Sequence, residues 1–319
     1  MAFPTETVYG LGGNALDAEA SAKIYAAKGR PSDNPLIVHI ADWEAIGAIV
    51  SEIPEAAKRL ADAFWPGPLT MILNKSDLVP YATTGGLETV AVRMPVNPIA
   101  RALIRAGGGY VAAPSANTSG RPSPTKAEHV AEDLNGKIDM IIDGGTVDIG
   151  LESTIVDLTD GAPTILRPGY INQEMLTKVL GEVEMDRGLI APESGVHPKA
   201  PGMKYRHYAP KADLIIVEGE AEKVRRKINE LVQQQISEGK KVGVIGTDES
   251  LSYYKDGDVR SIGSRKDEIT IAQHLFGLLR EFDESDISVI YSEAFETPQI
   301  GQAIMNRLIK AAGHQIIRV

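Results

Sequence analysis

The apolar positions of this chain come in short runs broken by polar turns, and their rhythm changes near residue 180. Phe3 to Val8 reads as the end of a strand, and Gly10, Gly12 and Gly13 supply the turn after it. Ala, Ile and Tyr recur at helical spacing from Asp17 to Lys28, with Asp17 as the N-cap. Lys28-Gly29-Arg30-Pro31 stops that helix, and Leu36 to Ile40 is a short strand. Helices are expected over Asp42 to Val50 and Pro54 to Phe64, the second broken by Trp65-Pro66-Gly67-Pro68. Leu69 to Leu73 and Thr89 to Met94 read as strands, Pro98 to Ala106 as a helix and Tyr110 to Ala113 as a buried strand. Beyond the loop SANTSGRPSPT, Lys126 to Leu134 reads as a helix. Met140 to Asp143, Ser153 to Asp157 and Thr164 to Arg167 read as strands, and Asn172 to Leu180 as a short helix. The pattern is mixed α/β, with too many short strands for a simple six-strand repeat.

From Val183 to Lys211 the periodicity fades, and Pro192, Pro198, Pro201 and Pro210 mark a linker. It carries Lys204, Tyr205, Arg206, His207 and Tyr208 in one cluster. Regular alternation then resumes. Strands are expected over Leu214 to Val217, Val242 to Ile245 and Ile287 to Tyr291. Helices are expected over Ala221 to Ser237, Thr270 to Phe282 and Ile300 to Ala312. This βαβαβα order predicts a parallel, Rossmann-like sheet. The chain thus divides into a first domain over 1–182, a linker over 183–211 and a second domain over 212–319.

Composition narrows the chemistry. With 319 residues, 43% of them hydrophobic, both domains can bury sizeable cores. No apolar run is long enough to span a bilayer, and the start lacks a signal-peptide pattern. Cysteine is absent, which excludes disulfides, cysteine-ligated zinc and a thiol nucleophile and fits a cytoplasmic protein. The formal net charge is −10, of which −8 falls in the first 182 residues, so bulk charge disfavours a nucleic-acid binder. An anionic ligand must then be held by local cations, which makes individual Arg and Lys positions informative.

Several stretches gather such groups. Lys28, Arg30, Ser32 and Asn34 lie in KGRPSDNP, where Pro31 and Pro35 stiffen the backbone. Two cations, a hydroxyl and an amide on a pre-organised loop suit phosphate, although Lys and Arg at a helix C-terminus also complement the helix dipole. Ser115, Asn117, Thr118, Ser119, Arg121 and Ser123 follow the apolar run VAAP, at the strand end where open α/β sheets bind ligands. An Asx or ST turn is the simpler account of them. Thr89 and Arg93 are four residues apart in one strand and share a face. Arg93 interrupts an apolar run, so it must be paired or hold a ligand. His39 ends LIVHI, where a satisfied core histidine is the commoner case. Arg167 ends TILRPG and either faces the same pocket or caps a strand. Tyr205 and Tyr208 beside His207 either stack on a base or pack the linker. Neither a GxxxxGKS/T loop nor GxGxxG is present, and HExxH and GxSxG are absent as well.

Taken together, FPTETVYGLG, KGRPSDNPLIVHI, FWPGPLT, VAVRMP, APSANTSGRPSPT, IIDGG, ESTIVD and LRPG resemble the Sua5/YrdC family, the threonylcarbamoyl-AMP synthases. PGMKYRHYAP and AIMNRLIKAAG resemble the longer Sua5 branch, which adds a linker and a C-terminal domain. The resemblance implies a YrdC-like twisted mixed sheet with flanking helices, plus a smaller Rossmann-like parallel sheet. It also implies the reaction. L-threonine and bicarbonate give N-carboxythreonine, whose carboxylate attacks the α-phosphorus of ATP, and diphosphate leaves. The threonylcarbamoyl-adenylate then passes to the machinery that modifies adenosine 37 of tRNA. Magnesium is expected with the triphosphate, held chiefly by phosphate oxygens and water; no protein metal ligand is expected.

By the family's pattern Thr7, His39, Arg93, Ala113 and Ser153 would hold threonine, with Arg93 on its carboxylate and Ala113 acting through its backbone. Arg30, Asn34, Thr89, Ser115, Ser123, Arg167 and Tyr205 would hold ATP, and Lys28 with Arg30 would neutralise phosphate charge. Tyr205 would make the linker a lid that excludes water. Members usually carry a helix and most of a strand before the FPTET stretch, whereas here two residues precede Phe3; losing that strand would bare a sheet edge. The competing readings are an RNA-binding module, with weak RNA binding at a concave surface, and a carbamoyl-adenylate-forming enzyme. Enzymes of the latter kind carry zinc-finger cysteines that this chain lacks.

Overall fold

The computed structural model describes residues 1–186, 207–295 and 300–319. They fall into two compact units, one of 1–119 with 123–186 and one of 120–122 with 207–295 and 300–319.

In the first unit, β1 (Ala2–Phe3) pairs antiparallel with β2 (Gly10–Leu11). The strand expected over Phe3 to Val8 therefore stops at Phe3, and Thr5 supplies the reason. Its hydroxyl donates to the Val8 carbonyl at 2.7 Å and accepts the backbone N–H groups of Thr7 and Val8. A side chain that captures local backbone donors competes with a strand ladder and makes a turn. The unit continues through β3 (Gly13–Asn14), α1 (Ala18–Lys28), β4 (Ile37–His39), α2 (Ile46–Ile49), α3 (Glu55–Phe64), β5 (Leu69–Asn74) and α4 (Tyr81–Thr84). Then come β6 (Thr89–Arg93), α5 (Pro98–Ala106), β7 (Val111–Ala112), α6 (Ala127–Leu134), β8 (Thr154–Asp157), β9 (Thr164–Arg167), α7 (Gln173–Leu180) and β10 (Glu184–Met185). The main sheet is mixed and eight-stranded, in the order β10-β9-β8-β5-β6-β4-β7-β3. Val38, Met71, Leu73, Val90, Val92 and Val156 bury one continuous apolar layer on it. Burial of such side chains stabilises by about 1.5–3 kcal/mol each.

α1 begins at the predicted cap, where Asp17 accepts the Glu19 N–H at 2.8 Å, and ends at Gly29 in the left-handed region. Three further expectations for this unit are corrected. Met140 to Asp143 is not a strand: Ile141 makes a single bridge to Ala2, because β1 is too short to extend a ladder. Asp42 to Val50 is split into a 3-10 turn over Trp43–Ala45 and the one-turn α2. The stretch expected to start the linker contains β10, which pairs parallel with β9.

The second unit holds β11 (Asp213–Glu218), α8 (Ala221–Ser237), β12 (Val242–Gly246), β13 (Asp258–Ser261), α9 (Glu268–Asp283), β14 (Val289–Glu293), α10 (Gly301–Ala311) and β15 (Ile316–Arg318). All four strand pairings are parallel, in the order β13-β12-β14-β11-β15. The sheet is of the predicted kind, with β13 and β15 added at its two edges. Among the described residues no helix is long and apolar enough to cross a membrane.

Candidate substrate site

The first unit sets one row of residues across six neighbouring strands. Arg167 on β9 opposes Ile155 on β8, which opposes Thr70 on β5; Thr70 opposes Arg93 on β6, Arg93 pairs with His39 on β4, and His39 opposes Val111 on β7. Strand register thus gathers two guanidinium groups, an imidazole and a hydroxyl from segments up to 128 residues apart in sequence, His39 to Arg167. All four of these side chains are buried.

Hydrogen bonds join the row to the turn after β1 and to the residue before β8. Arg93 donates from Nη1 to Thr7 Oγ1 at 2.8 Å and from Nη2 to Glu6 Oε1 at 2.6 Å. Thr7 is aimed by Thr5, whose hydroxyl lies 2.8 Å from its own. Ser153 Oγ lies 2.8 Å from Thr70 Oγ1 and accepts from Arg167 Nη2 at 3.2 Å, while Arg167 Nε donates to the Ser153 carbonyl at 3.0 Å. Ser123 donates to Glu152 Oε1 at 2.5 Å. Gly169 lets the chain turn back here, since a Cβ on it would meet Thr154 N at 2.5 Å.

His39 is held neutral. Its Nδ1 donates to the Ile37 carbonyl at 3.1 Å, because a carbonyl can only accept. Burial, and then the Arg93 charge beside it, pull its pKa down to about 3. Thr7, His39, Arg93 and Ser153 therefore share one polar, dry end of the sheet. Ala113 extends it along β7: its N–H is taken by the Ile37 carbonyl at 2.9 Å, which leaves its own carbonyl as the backbone group it can offer.

The other end of β4 and β6 carries the loop groups. Thr89 opens β6, about 13 Å of extended chain from Arg93. Arg30 donates from Nε to the Asn34 carbonyl at 3.2 Å and from Nη2 to the Pro35 carbonyl at 3.1 Å, which folds the loop back on itself. Asn34 is buried, and its Oδ1 has no hydrogen-bond partner. Gly85 makes room for this loop: it sits at φ 64°, and a Cβ there would press on the Asp33 carbonyl at 3.1 Å. Lys28 is only 1% exposed and donates to the carbonyls of Ser115 (2.5 Å) and Asn117. Its ammonium thus ties the Ser115–Asn117 loop to the end of α1. Ser115 donates to Asn117 Oδ1 at 2.6 Å.

The residues expected to hold ATP are divided by this arrangement. Arg30, Asn34, Thr89 and Ser115 lie at the loop end, whereas Ser123 and Arg167 sit beside Glu152 and Ser153. Tyr205 lies outside the described residues. Glu6 and Thr70 were not singled out by sequence reasoning. Glu6 is screened by its neighbours in FPTET, and Thr70 reads as one more strand residue in LTMILN. A hollow of about 560 Å³ lies between α1 and α4, lined by Tyr25, Ser32, Asp33, Tyr81 and Gly85 among others; of the loop groups singled out in KGRPSDNP, Ser32 lines it, whereas Lys28, Arg30 and Asn34 do not.

Two family profiles match the chain. One, described as telomere recombination (Sua5_yciO_yrdC), covers residues 1–169, and the other, described as threonylcarbamoyl-AMP synthase, C-terminal domain, covers 171–313. The threonylcarbamoyl-AMP synthase of Pyrococcus abyssi is 54% identical over all of this chain and 92% of its own length. That of Bacillus subtilis is 51% identical over all of this chain and 90% of its own length. The crystal structure of P. abyssi Sua5 complexed with L-threonine superposes with a TM-score of 0.95 at 54% identity, covering all of this chain and 92% of that one.

Proposed function

Because the chain belongs to the Sua5/YrdC family of threonylcarbamoyl-AMP synthases, we propose that it joins L-threonine, bicarbonate and ATP into threonylcarbamoyl-AMP, releasing diphosphate and water. It is an enzyme of the adenylate-forming, nucleotidyl-transferring kind, and its product serves tRNA modification. The observation that carries the reading is the buried row from His39 through Arg93 and Thr70 to Arg167, with Thr7 and Ser153 bonded to it. Arg93 supplies a guanidinium for the amino acid's carboxylate, in a site dry enough to make that pairing strong. Ser153 and Thr7 offer hydroxyls to the rest of the amino acid. The loop end, with Arg30, Asn34, Thr89 and Ser115, takes the nucleotide. Ser123 and Arg167, beside Glu152 and Ser153, would reach the nucleotide from the amino-acid side.

This division suits the chemistry. Attack of an N-carboxythreonine carboxylate on the α-phosphorus needs no side-chain nucleophile. It needs the two reactants held in line and cations placed where negative charge develops. Arg30 and Arg167 would take the second task, and Lys28 holds the loop that carries Ser115. Magnesium would arrive on the triphosphate. Among the described residues no cluster of three His, Asp or Glu forms a protein cage, and the loop end offers cations, hydroxyls and an amide, a donor set that fits phosphate with its metal held by phosphate oxygens and water. Transfer of the product to the tRNA-modifying machinery is part of the same proposal.

The test is diphosphate release by the purified chain with ATP and magnesium. Release that needs threonine and bicarbonate together is the expected result. Release that ignores either one, or none at all from a folded chain, overturns the reading.

A further inference from the structure

We infer that Glu6 is the counter-ion for the substrate's ammonium group and so sets the requirement for an α-amino acid. The inference rests on the reading that Arg93 receives the amino acid's carboxylate.

The Glu6–Arg93 pair is buried, with side-chain exposures of 3% and 5%. A structural arginine–carboxylate pair inside a protein is normally bidentate, so that two parallel N–H groups satisfy both oxygens. This one is joined by a single contact, Arg93 Nη2 to Glu6 Oε1 at 2.6 Å. The second nitrogen, Nη1, goes to Thr7 instead. One polar atom on each partner is left over: Glu6 Oε2 and Arg93 Nε are buried and have no hydrogen-bond partner. Each unsatisfied buried polar atom is destabilising, because its hydration is lost and nothing replaces it. A pair kept for stability alone has no reason to carry that cost twice, since a hydrophobic replacement is often neutral or better.

The two leftover atoms have complementary needs. Oε2 calls for a donor, and Nε calls for an acceptor. An α-amino acid zwitterion brings three N–H donors and a carboxylate joined through one carbon, the spacing of two groups that already touch each other. Glu6 is well fixed to receive the ammonium. Its carbonyl accepts the Ile149 N–H at 2.9 Å, and the Thr5 turn locks the residues on either side. Glu152, a second buried carboxylate beside Ser153, already accepts from Ser123. Glu6 is thus the acidic group in direct contact with Arg93 that retains an open oxygen.

The experiment is calorimetric titration of the full chain, wild type and Glu6→Gln, with L-threonine and with 3-hydroxybutanoate, which is threonine without its amine. Wild type should bind threonine and discriminate strongly against the hydroxy acid. Glu6→Gln should lose roughly 30-fold in threonine affinity with little change for 3-hydroxybutanoate, as expected for one buried charge-assisted contact. An equal loss for both ligands would assign Glu6 a merely structural role and overturn the inference, as would unchanged discrimination. If circular dichroism shows that Glu6→Gln does not fold, Glu6→Asp keeps the charge and carries the same comparison. A selective loss for threonine supports the inference there, and an unchanged ratio defeats it. Failure of the wild type to bind threonine at all would instead strike the proposed function.

Discussion

The hydroxyl oxygens of Thr70 and Ser153 lie 2.8 Å apart, and both residues are essentially inaccessible to solvent. Thr70 belongs to the row that includes Arg93, and Ser153 is the residue on which Arg167 closes. That contact ties Ser153, and through it Arg167, to the strand residue that stands opposite Arg93 in the sheet. Thr70→Val keeps the shape and removes the link. It should cost about 1–2 kcal/mol in urea unfolding. Threonine affinity should fall in the same variant, because Ser153 loses the neighbour that orients its hydroxyl.

Arg93→Ala should weaken threonine binding far more than ATP binding, read by titrating each ligand separately. It also leaves the Glu6 carboxylate buried without its cation, which costs about 3–5 kcal/mol of stability. Adding Glu6→Gln to Arg93→Ala should recover part of that stability and none of the threonine affinity. Equal loss of both ligands in the single variant would move Arg93 out of the amino-acid end.

Lys28→Met should act on the nucleotide. The ammonium holds the carbonyls of Ser115 and Asn117, and without it those acceptors are bare and the loop loosens. ATP affinity should drop about tenfold, the size of one lost charge-assisted anchor, with threonine affinity nearly unchanged. A titration in which threonine suffers as much would show that the loop serves both substrates.

His39 gives the fold a dependence on acid. Its pKa is about 3 in the native protein against 6.5 for an ordinary histidine, so the unfolded chain binds the proton more readily. The stability from neutral, buried His39 is present above pH 6.5 and is lost as pH falls from 6.5 toward about 3. The loss approaches about 1.4 kcal/mol per pH unit within that window. His39→Asn should flatten that limb in chemical unfolding at a series of pH values. Identical slopes for wild type and variant would rule the residue out as the titrating group.

What the sequence made legible, and what it did not, follows from how far each feature reaches along the chain. The cap at Asp17, the stop at Gly29 and the stiffened KGRPSDNP loop are local, and they stand where the residues predict. Arg93 was legible because a charge in TVAVRMP contradicts its surroundings. Its partner was not, since Glu6 lies 87 positions away and nothing local pairs them. Thr70 was hidden for the same reason: LTMILN reads as an ordinary buried strand until register sets it opposite Arg93. The edge strands β13 and β15 escaped notice because half-buried residues such as those of Asp258–Ser261 show no alternation. Met140 to Asp143 had the apolar pattern of a strand but lacked a neighbour long enough to pair with.

β6 is ladder-bonded on both sides, to β5 and to β4, so Arg93 is anchored in the interior of the sheet rather than on its rim. Amides there should exchange with deuterium only when the whole unit opens, whereas those between Arg30 and Asn34 need only a local excursion. Mild denaturant should therefore silence the nucleotide half of the pocket first, leaving a protein that still recognises its amino acid.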